Sequence, residues 1–324
     1  MSVNRRHEGA PCAATTLSCV SRQTVPWDVA QPKLLWQSKL VLLLVLPIVG
    51  TGLVLQTHWW ATQLPSVASW TLGLSLLLGL IVLRVHAATA AGACTGAVLT
   101  ASLMFSTVGF PYLPWHTALP PVLAVSLLAS IASRIGRDRK EDLGTAEARH
   151  GRAAAQVAAN VGLAALLAGE FAQSWMAGLH WLTPAMGRPG MVFAPALAAL
   201  AEAAADTVSS EIGQVLGGRP RMITTGRAAE PGTDGAISVA GTAAGIAAAC
   251  VVAAIGAVSL RGDASLFWVA TAGAVFGLLF DSVLGATVES RGWLNNDAVN
   301  FVSTVSAAAC ALALMAELAH VRVR

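Results

Sequence analysis

The chain has 324 residues, 55% of them hydrophobic and only 11% charged, with a mean hydropathy of +0.65. A charged fraction under half the ~25% of soluble domains excludes an ordinary soluble globular protein and predicts an integral membrane protein. The formal charge of +3, from 20 Lys and Arg scattered among 17 acids, carries no basic stripe and excludes a nucleic-acid partner.

Residues 1–35 hold Arg5, Arg6 and Arg22 among Ser, Thr and Pro, with no apolar run of signal-peptide length, and read as a disordered basic tail. Apolar segments then follow at roughly 39–56, 66–83, 88–108, 118–133, 153–170, 190–208, 236–258, 264–284 and 298–318, each near the ~20 residues that cross a bilayer as a helix. The expected fold is all-α, a polytopic bundle of about nine transmembrane helices. Residues 36–148 form its first, variable part and 149–324 its core.

Loop charge sets the orientation, because Lys and Arg concentrate on the cytoplasmic side. An inside N-terminus places Lys33, Lys39, Arg84, the Arg134–Arg152 group, Arg219, Arg221, Arg227 and Arg291 in the cytoplasm. Trp59, Trp60, Trp115, Trp175, Trp181 and Trp268 then mark the outer interface, and the chain reads N-in, C-out. The three polar connections, after segments four, six and eight, share the inner face. Cys12, Cys19, Cys94, Cys250 and Cys310 are odd in number and widely spaced, so they indicate neither disulfides nor zinc and read as small packing residues.

Candidate chemistry collects on that face. Arg152, Gln156 and Asn160 form an i, i+4 stripe at the start of the fifth segment. In the sixth, Glu202, Asp206 and Ser210 repeat at i+4, with Thr207 and Glu211 on the neighbouring face. The loop after it offers Gly213, Gly217, Gly218, Arg219 and Arg221, then Thr233-Asp234-Gly235. Glycine backbone, Arg and a carboxylate are the means of gripping phosphate and Mg²⁺. A P-loop is excluded, because Arg219-Pro220 stands where Lys-Ser/Thr is required. Asp281 lies in a Gly273, Gly277, Gly285 stripe at membrane depth, where an idle charge is costly. Asn295-Asn296-Asp297 and Asn300 open the last segment; Asp297 can cap the helix there. No histidine set suits a metal.

The stretches GRAAAQVAANVG (151–162), ADTVSSEIG (205–213), GRPRMITT (218–225), PGTDGAIS (231–238), DSVLGAT (281–287) and NNDAVNFVST (295–304) together resemble the transmembrane-protein-19-like family, domain of unknown function 92, which includes plant phytyl-phosphate kinase. That family is distantly similar to the dolichol and phytol kinases, and the resemblance implies a cytidine nucleotide. It implies an acidic helix at Asp206, Ser210, Glu211 and Gly213, a basic loop at Arg219 and Arg221, and a phosphate side at Thr233 and Asp234. Two positions depart from the kinase pattern: Val208 stands where an aromatic is common, and Val161 separates Asn160 from Gly162.

The expected function is a membrane kinase phosphorylating an isoprenoid alcohol or monophosphate. Its catalytic residues are Asp206, Glu211 and Asp281, and its Mg²⁺ ligands Asp206, Asp234 and Asp281. The nucleoside triphosphate is held by Ser210, Gly213, Gly218, Arg219, Arg221, Thr233 and Asp234, and the substrate by Arg152, Gln156, Asn160, Asp297 and Asn300. The prenyl chain is expected along segments seven and eight. The alternative is a transporter whose intramembrane acids couple to an ion, although no internal repeat supports it.

Overall fold

Each of the nine apolar segments coincides with a helix in the computed structural model, which describes residues 35–144, 151–180 and 182–321. The expectations for the basic tail before Leu35, for Arg149 within the Arg134–Arg152 group and for Trp181 lie outside the described residues. The helices are α1 (Leu35–Gln63), α2 (Pro65–Arg84), α3 (Ala90–Ser106), α4 (Leu119–Arg134), α5 (Arg137–Leu143), α6 (Ala154–Ala168), α7 (Glu170–Gly178), α8 (Thr183–Met186), α9 (Ala194–Leu216), α10 (Val239–Ser259), α11 (Ala264–Leu284) and α12 (Asn296–Val321). Two-residue strands β1 (Arg221–Met222) and β2 (Ala236–Ile237) pair antiparallel in the loop after α9. The protein is an all-α polytopic bundle. Among the described residues six helices are long and apolar enough to cross a membrane, and eight spans result if the bent pairs α4–α5 (67°) and α6–α7 (57°) count as one each. The apolar α3, with 17 residues, falls just short of that length and runs from one end of the bundle to the other; counted as a span it gives the ninth.

Local chemistry starts the helices where the sequence changes character. Thr89 Oγ1 accepts from Gly92 N at 3.1 Å, Ser238 Oγ from Gly241 N at 3.1 Å, Asp263 Oδ1 from Ser265 N at 2.9 Å and Asn295 Oδ1 from Ala298 N at 2.9 Å. Each such cap contributes about 1 kcal/mol. Asn295, not Asp297, therefore caps α12.

The alanine-rich α9 is the axis of the bundle: 83% of its apolar stretch is buried, against 17% for α1. Small residues let its neighbours close on it. At Gly277 of α11 an added Cβ would lie 2.6 Å from Glu202 Cγ, 2.8 Å from Ala307 Cβ and 3.0 Å from Ser303 O. The glycine stripe of α11 is thus the surface on which α9 and α12 meet it. Gly277→Val should cost about 1–3 kcal/mol by overpacking, read as a lower unfolding temperature in detergent.

Cross-helix hydrogen bonds sort the connections to two ends. At one end Gln37 Nε2 of α1 donates to Trp293 O at 2.9 Å, Arg134 Nη2 of α4 to Val85 O at 3.2 Å, and Thr89 N to Arg152 O at 3.0 Å. At the other, Arg261 Nη1 donates to Phe110 O at 3.0 Å and Arg188 Nη1 to Ser265 Oγ at 2.5 Å. The first end carries the polar stripes and most of the described basic residues. Trp59, Trp115, Trp175 and Trp268 are exposed toward the second. Cys94, Cys250 and Cys310 are free thiols; Cys94 is exposed, so it faces outward instead of filling the core.

Candidate functional site

Glu202 and Asp206 lie one turn apart on α9, and α11 brings Asp281 within hydrogen-bonding reach of Asp206. The charges of Asp206 and Glu202 act on Asp281, and Ser303 of α12 stands beside both Glu202 and Asp281. Glu202 is only 1% exposed, and its Oε1, like Asp281 Oδ1, is buried without a hydrogen-bond partner. Such an orphaned oxygen carries an uncompensated desolvation cost. After α11 the backbone widens into a π-helical turn, Gly285–Glu289, in which Ser290 N bonds to Gly285 O at 3.1 Å. It places Glu289 where the charges of Asp234 and Asp206 reach it. Such turns occur often at functional sites.

Asp234 comes to this cluster by a backbone contact. Gly235 has φ +74°, and the space a Cβ would need is filled by Ala286, so the loop rests directly on the end of α11. Asp234 is exposed, and partial desolvation raises its carboxyl above the ordinary value. Among the described residues no three His, Cys, Asp or Glu side chains converge as a self-sufficient metal cage. The acids are neighbours, not a closed coordination sphere.

The rest of the loop is more structural than its composition suggests. A Cβ added at Gly213 would lie 3.2 Å from Ser238 Oγ and 3.6 Å from Gly241 Cα, so this glycine serves the close crossing of α9 and α10. Gly218, at φ +63° with open space around it, ends α9 as a left-handed stop. Arg221 Nη1 donates to Gly226 O at 2.8 Å and Thr233 Oγ1 to Glu230 O at 2.8 Å, so both fold the loop on itself. Arg219 and Ser210 are exposed at the rim.

Glu211 also changes role. Lys140, 1% exposed, donates from Nζ to Glu211 Oε2 at 2.6 Å, and Ser133 Oγ donates to Glu211 Oε1 at 3.0 Å. Lys140 Nζ also donates to Ala132 O and Ser133 O at 3.0 and 2.9 Å. Both carboxylate oxygens are therefore engaged in tying α5 and α4 to α9. Gln156 Oε1 accepts from Ala153 N at 2.8 Å and caps α6. Asp297 Oδ2 accepts from Ser38 Oγ at 2.5 Å and anchors α1 to α12. These three bonds account for Glu211, Gln156 and Asp297 without a ligand.

Asn160 and Asn300 do meet, Asn300 Nδ2 donating to Asn160 Oδ1 at 3.2 Å. Asn160 also lines a cavity of about 190 Å³ enclosed by α2, α3, α4 and α6. Its mouth carries His86, Arg134, Arg137 and Arg152, and its shaft is apolar, with Leu78, Val82, Val122 and Val125 on the walls. A space for an apolar chain thus opens here, while the faces of α10 and α11, where the chain was expected, pack on α9 or look outward. Arg152 joins cavity and acids, because its charge also acts on Asp206. Its position is held from behind, since Arg152 N donates to Ala87 O at 3.0 Å and Gly92 leaves room for Arg152 O.

Sequence reasoning missed the parts played by Glu289, Ser303, Lys140 and Arg134. Glu289 is two further four-residue steps along the Asp281 stripe and Ser303 three residues beyond Asn300, so spacing could have found them. Nothing in the sequence signals the Lys140–Glu211 pairing.

Geometry and composition define an integral membrane protein with a polar site at one end of its bundle. Residues 73–308 match the family described as integral membrane protein DUF92, and the chain belongs to that family. It is 42% identical over 109 residues to an uncharacterised membrane protein of Methanocaldococcus jannaschii, covering 34% of this chain and 45% of that one. It is 33% identical over 204 residues to an uncharacterised membrane protein of Synechocystis, covering 60% and 72%. With Protein VTE6, chloroplastic, of Arabidopsis thaliana it shares 28% identity over 185 residues, 56% of this chain and 54% of that protein. The chain thus spans about half the length of the first and third of these relatives. No solved structure matches it.

Proposed function

We propose that this protein is a membrane phosphotransferase that moves a phosphoryl group from a nucleoside triphosphate to an isoprenyl monophosphate at the basic end of the bundle. The observation that carries this reading is the place of Arg152, shared between a basic-mouthed apolar cavity and the Asp206–Asp281 pair. The positive charge gathered at the mouth by Arg134, Arg137 and Arg152, of which Arg137 also pairs with Glu141 at 3.0 Å, matches a phosphate headgroup better than a neutral alcohol. The similarity to the plastid protein and to the family that includes phytyl-phosphate kinase supports the same reading, and the kinase resemblance favours CTP. Concentration of Arg and Lys at this end supports a cytoplasmic placement, where nucleotide is available.

Asp206 and Asp281 fit Mg²⁺: Asp281 Oδ1 is a buried acceptor with no protein donor, and Mg²⁺ takes only one or two carboxylates beside phosphate oxygens and water. Bound there, the ion would neutralise phosphate charge. Asp234 and Glu289 extend the acidic rim. Arg219 contacts the triphosphate, and Arg221 shapes the loop that presents it. Arg152 holds the acceptor phosphate, with Asn160 and Asn300 beside it. The acceptor oxygen of a monophosphate is already ionised, so the site needs in-line positioning and charge balance more than a strong base.

The test supplies purified protein with labelled CTP, ATP, GTP or UTP, Mg²⁺ and a panel of prenyl monophosphates and alcohols. Labelled prenyl diphosphate is the expected product; folded protein that labels no lipid with any pair overturns the reading. Arg152→Ala should raise KM for the monophosphate about tenfold to a hundredfold, with a smaller change in KM for the nucleotide. A transporter reading is favoured by one observation, the wholly buried Glu202 one turn deeper than Asp206; ion flux in vesicles without lipid phosphorylation would support it.

A further inference from the structure

The cavity is too small for the molecule its mouth suits. At about 190 Å³ it falls below the roughly 300–1,000 Å³ of pockets that enclose a drug-sized ligand. A phosphate headgroup with the first part of a long chain fills it, and the remainder of the chain has to leave.

Among the described residues one wall offers a way out into lipid. On the floor, α3 packs against α6 and α6 against α9, and the lining there is buried or small: Ala93, Gly96 and Ala203. The walls on either side are α2, through Leu78, Val82 and Val85, and α4, through Val122, Ser126 and Ser130. These two helices scarcely touch each other. Arg134 Nη2 to Val85 O, at 3.2 Å, joins their ends at the basic face. Val85 is 45% exposed, and next to the slit the outward surfaces of α4 and α2 are leucines and isoleucines: Leu123, Leu127, Leu77 and Ile81 are each between 42% and 61% exposed. A gap between two lipid-facing helices, apolar along its length and bridged by an arginine at the headgroup level, has the polarity profile of a single-chain anionic lipid standing upright in one leaflet.

We propose that the slit between α2 and α4 is a lateral portal through which a single-chain lipid phosphate passes from the bilayer into the cavity, its headgroup drawn in past Arg134 to Arg152 and its chain end left in the membrane. This rests on the acceptor assignment above, but on lipid binding alone and not on phosphoryl transfer. The chain end stays outside, so affinity should stop rising with chain length once the cavity is filled.

The experiment uses the full chain in phosphatidylcholine vesicles, without nucleotide, and two long-chain alkyl monophosphates bearing a diazirine either beside the headgroup or at the chain end. After irradiation, the headgroup-proximal probe should label cavity residues, and the chain-end probe should label the slit and the outward face of α4 around Leu123 and Leu127. Ser126→Trp should lower labelling by both probes about tenfold, while Leu43→Trp, at a 70% exposed position of α1 away from the slit, should leave labelling by both unchanged. Ser130→Phe, nearer the mouth, provides a second block if Ser126→Trp does not fold. Chain-end label confined to the floor helices α3 and α6, or found on α10 and α11, overturns the portal, as does undiminished labelling in a folded blocked variant. Correct labelling without lipid phosphorylation in the kinase assay would overturn the reaction and leave the portal standing; phosphorylation with misplaced label would do the reverse.

Discussion

Asp281→Asn should reduce lipid phosphorylation by about a thousandfold while raising the unfolding temperature of the protein. The loss follows from the proposed role: a charge placed to balance the reacting phosphates contributes at about the scale of 10²–10³ per group, and Asp281 is one of two carboxylates assigned to Mg²⁺. The gain follows from the geometry. Asp281 shares its surroundings with Asp206 and Glu202, and its Oδ1 has no donor, so the native fold crowds carboxyl groups together and leaves an acceptor unsatisfied. An isosteric amide removes the charge and supplies its own N–H groups. Sites that hold reactive groups in costly surroundings trade stability for activity in this way. Activity assays together with thermal unfolding check it. A variant that stays fully active, or one that loses activity only by unfolding, would show Asp281 to be a packing residue.

The second large effect should come from Lys140→Met. Lys140 is buried, and its ammonium is satisfied by Glu211, Ala132 O and Ser133 O. Removing it strands Glu211 in the interior, and breaking a buried pair from one side costs about 3–5 kcal/mol. The double variant Lys140→Met/Glu211→Leu should recover most of that loss, because it removes the charge that was left alone. At a temperature where it is folded, the double variant should retain most of its activity. That separates the structural role of Glu211 from the catalytic one suggested by its position in the acidic helix. Inactivity of the folded double variant would restore Glu211 to the site.

Legibility in the sequence differed by the kind of information involved. Apolar runs and their bounds are local, and every one became a helix. Glycines were ambiguous: Gly213 and Gly277 have the same composition signal as a phosphate loop or a packing stripe, and only the approach of Gly241 and Ser303 decides between them. The i, i+4 logic located Asp206, Asp281, Asn160 and Asn300 correctly on faces that meet. It could not tell which polar residues spend their hydrogen bonds on the fold, as Gln156 does on Ala153 and Asp297 on Ser38. The cavity was not legible for a related reason. An empty space is a property of helices that fail to touch, and α2 and α4 lie too far apart in the chain for their spacing to be read from either.

Arg152 stands with its backbone pinned to the α2–α3 connection and its charge between the cavity mouth and Asp206. An anion arriving in the cavity cancels part of the field that this arginine exerts on the acids and so leaves them a stronger trap for a cation. A cation bound by the acids, in turn, frees the arginine to grip the anion harder. By thermodynamic linkage the two enhancements are equal in free energy. In the proposed reaction one guanidinium would thereby make the two halves of the site cooperative without any movement of the helices.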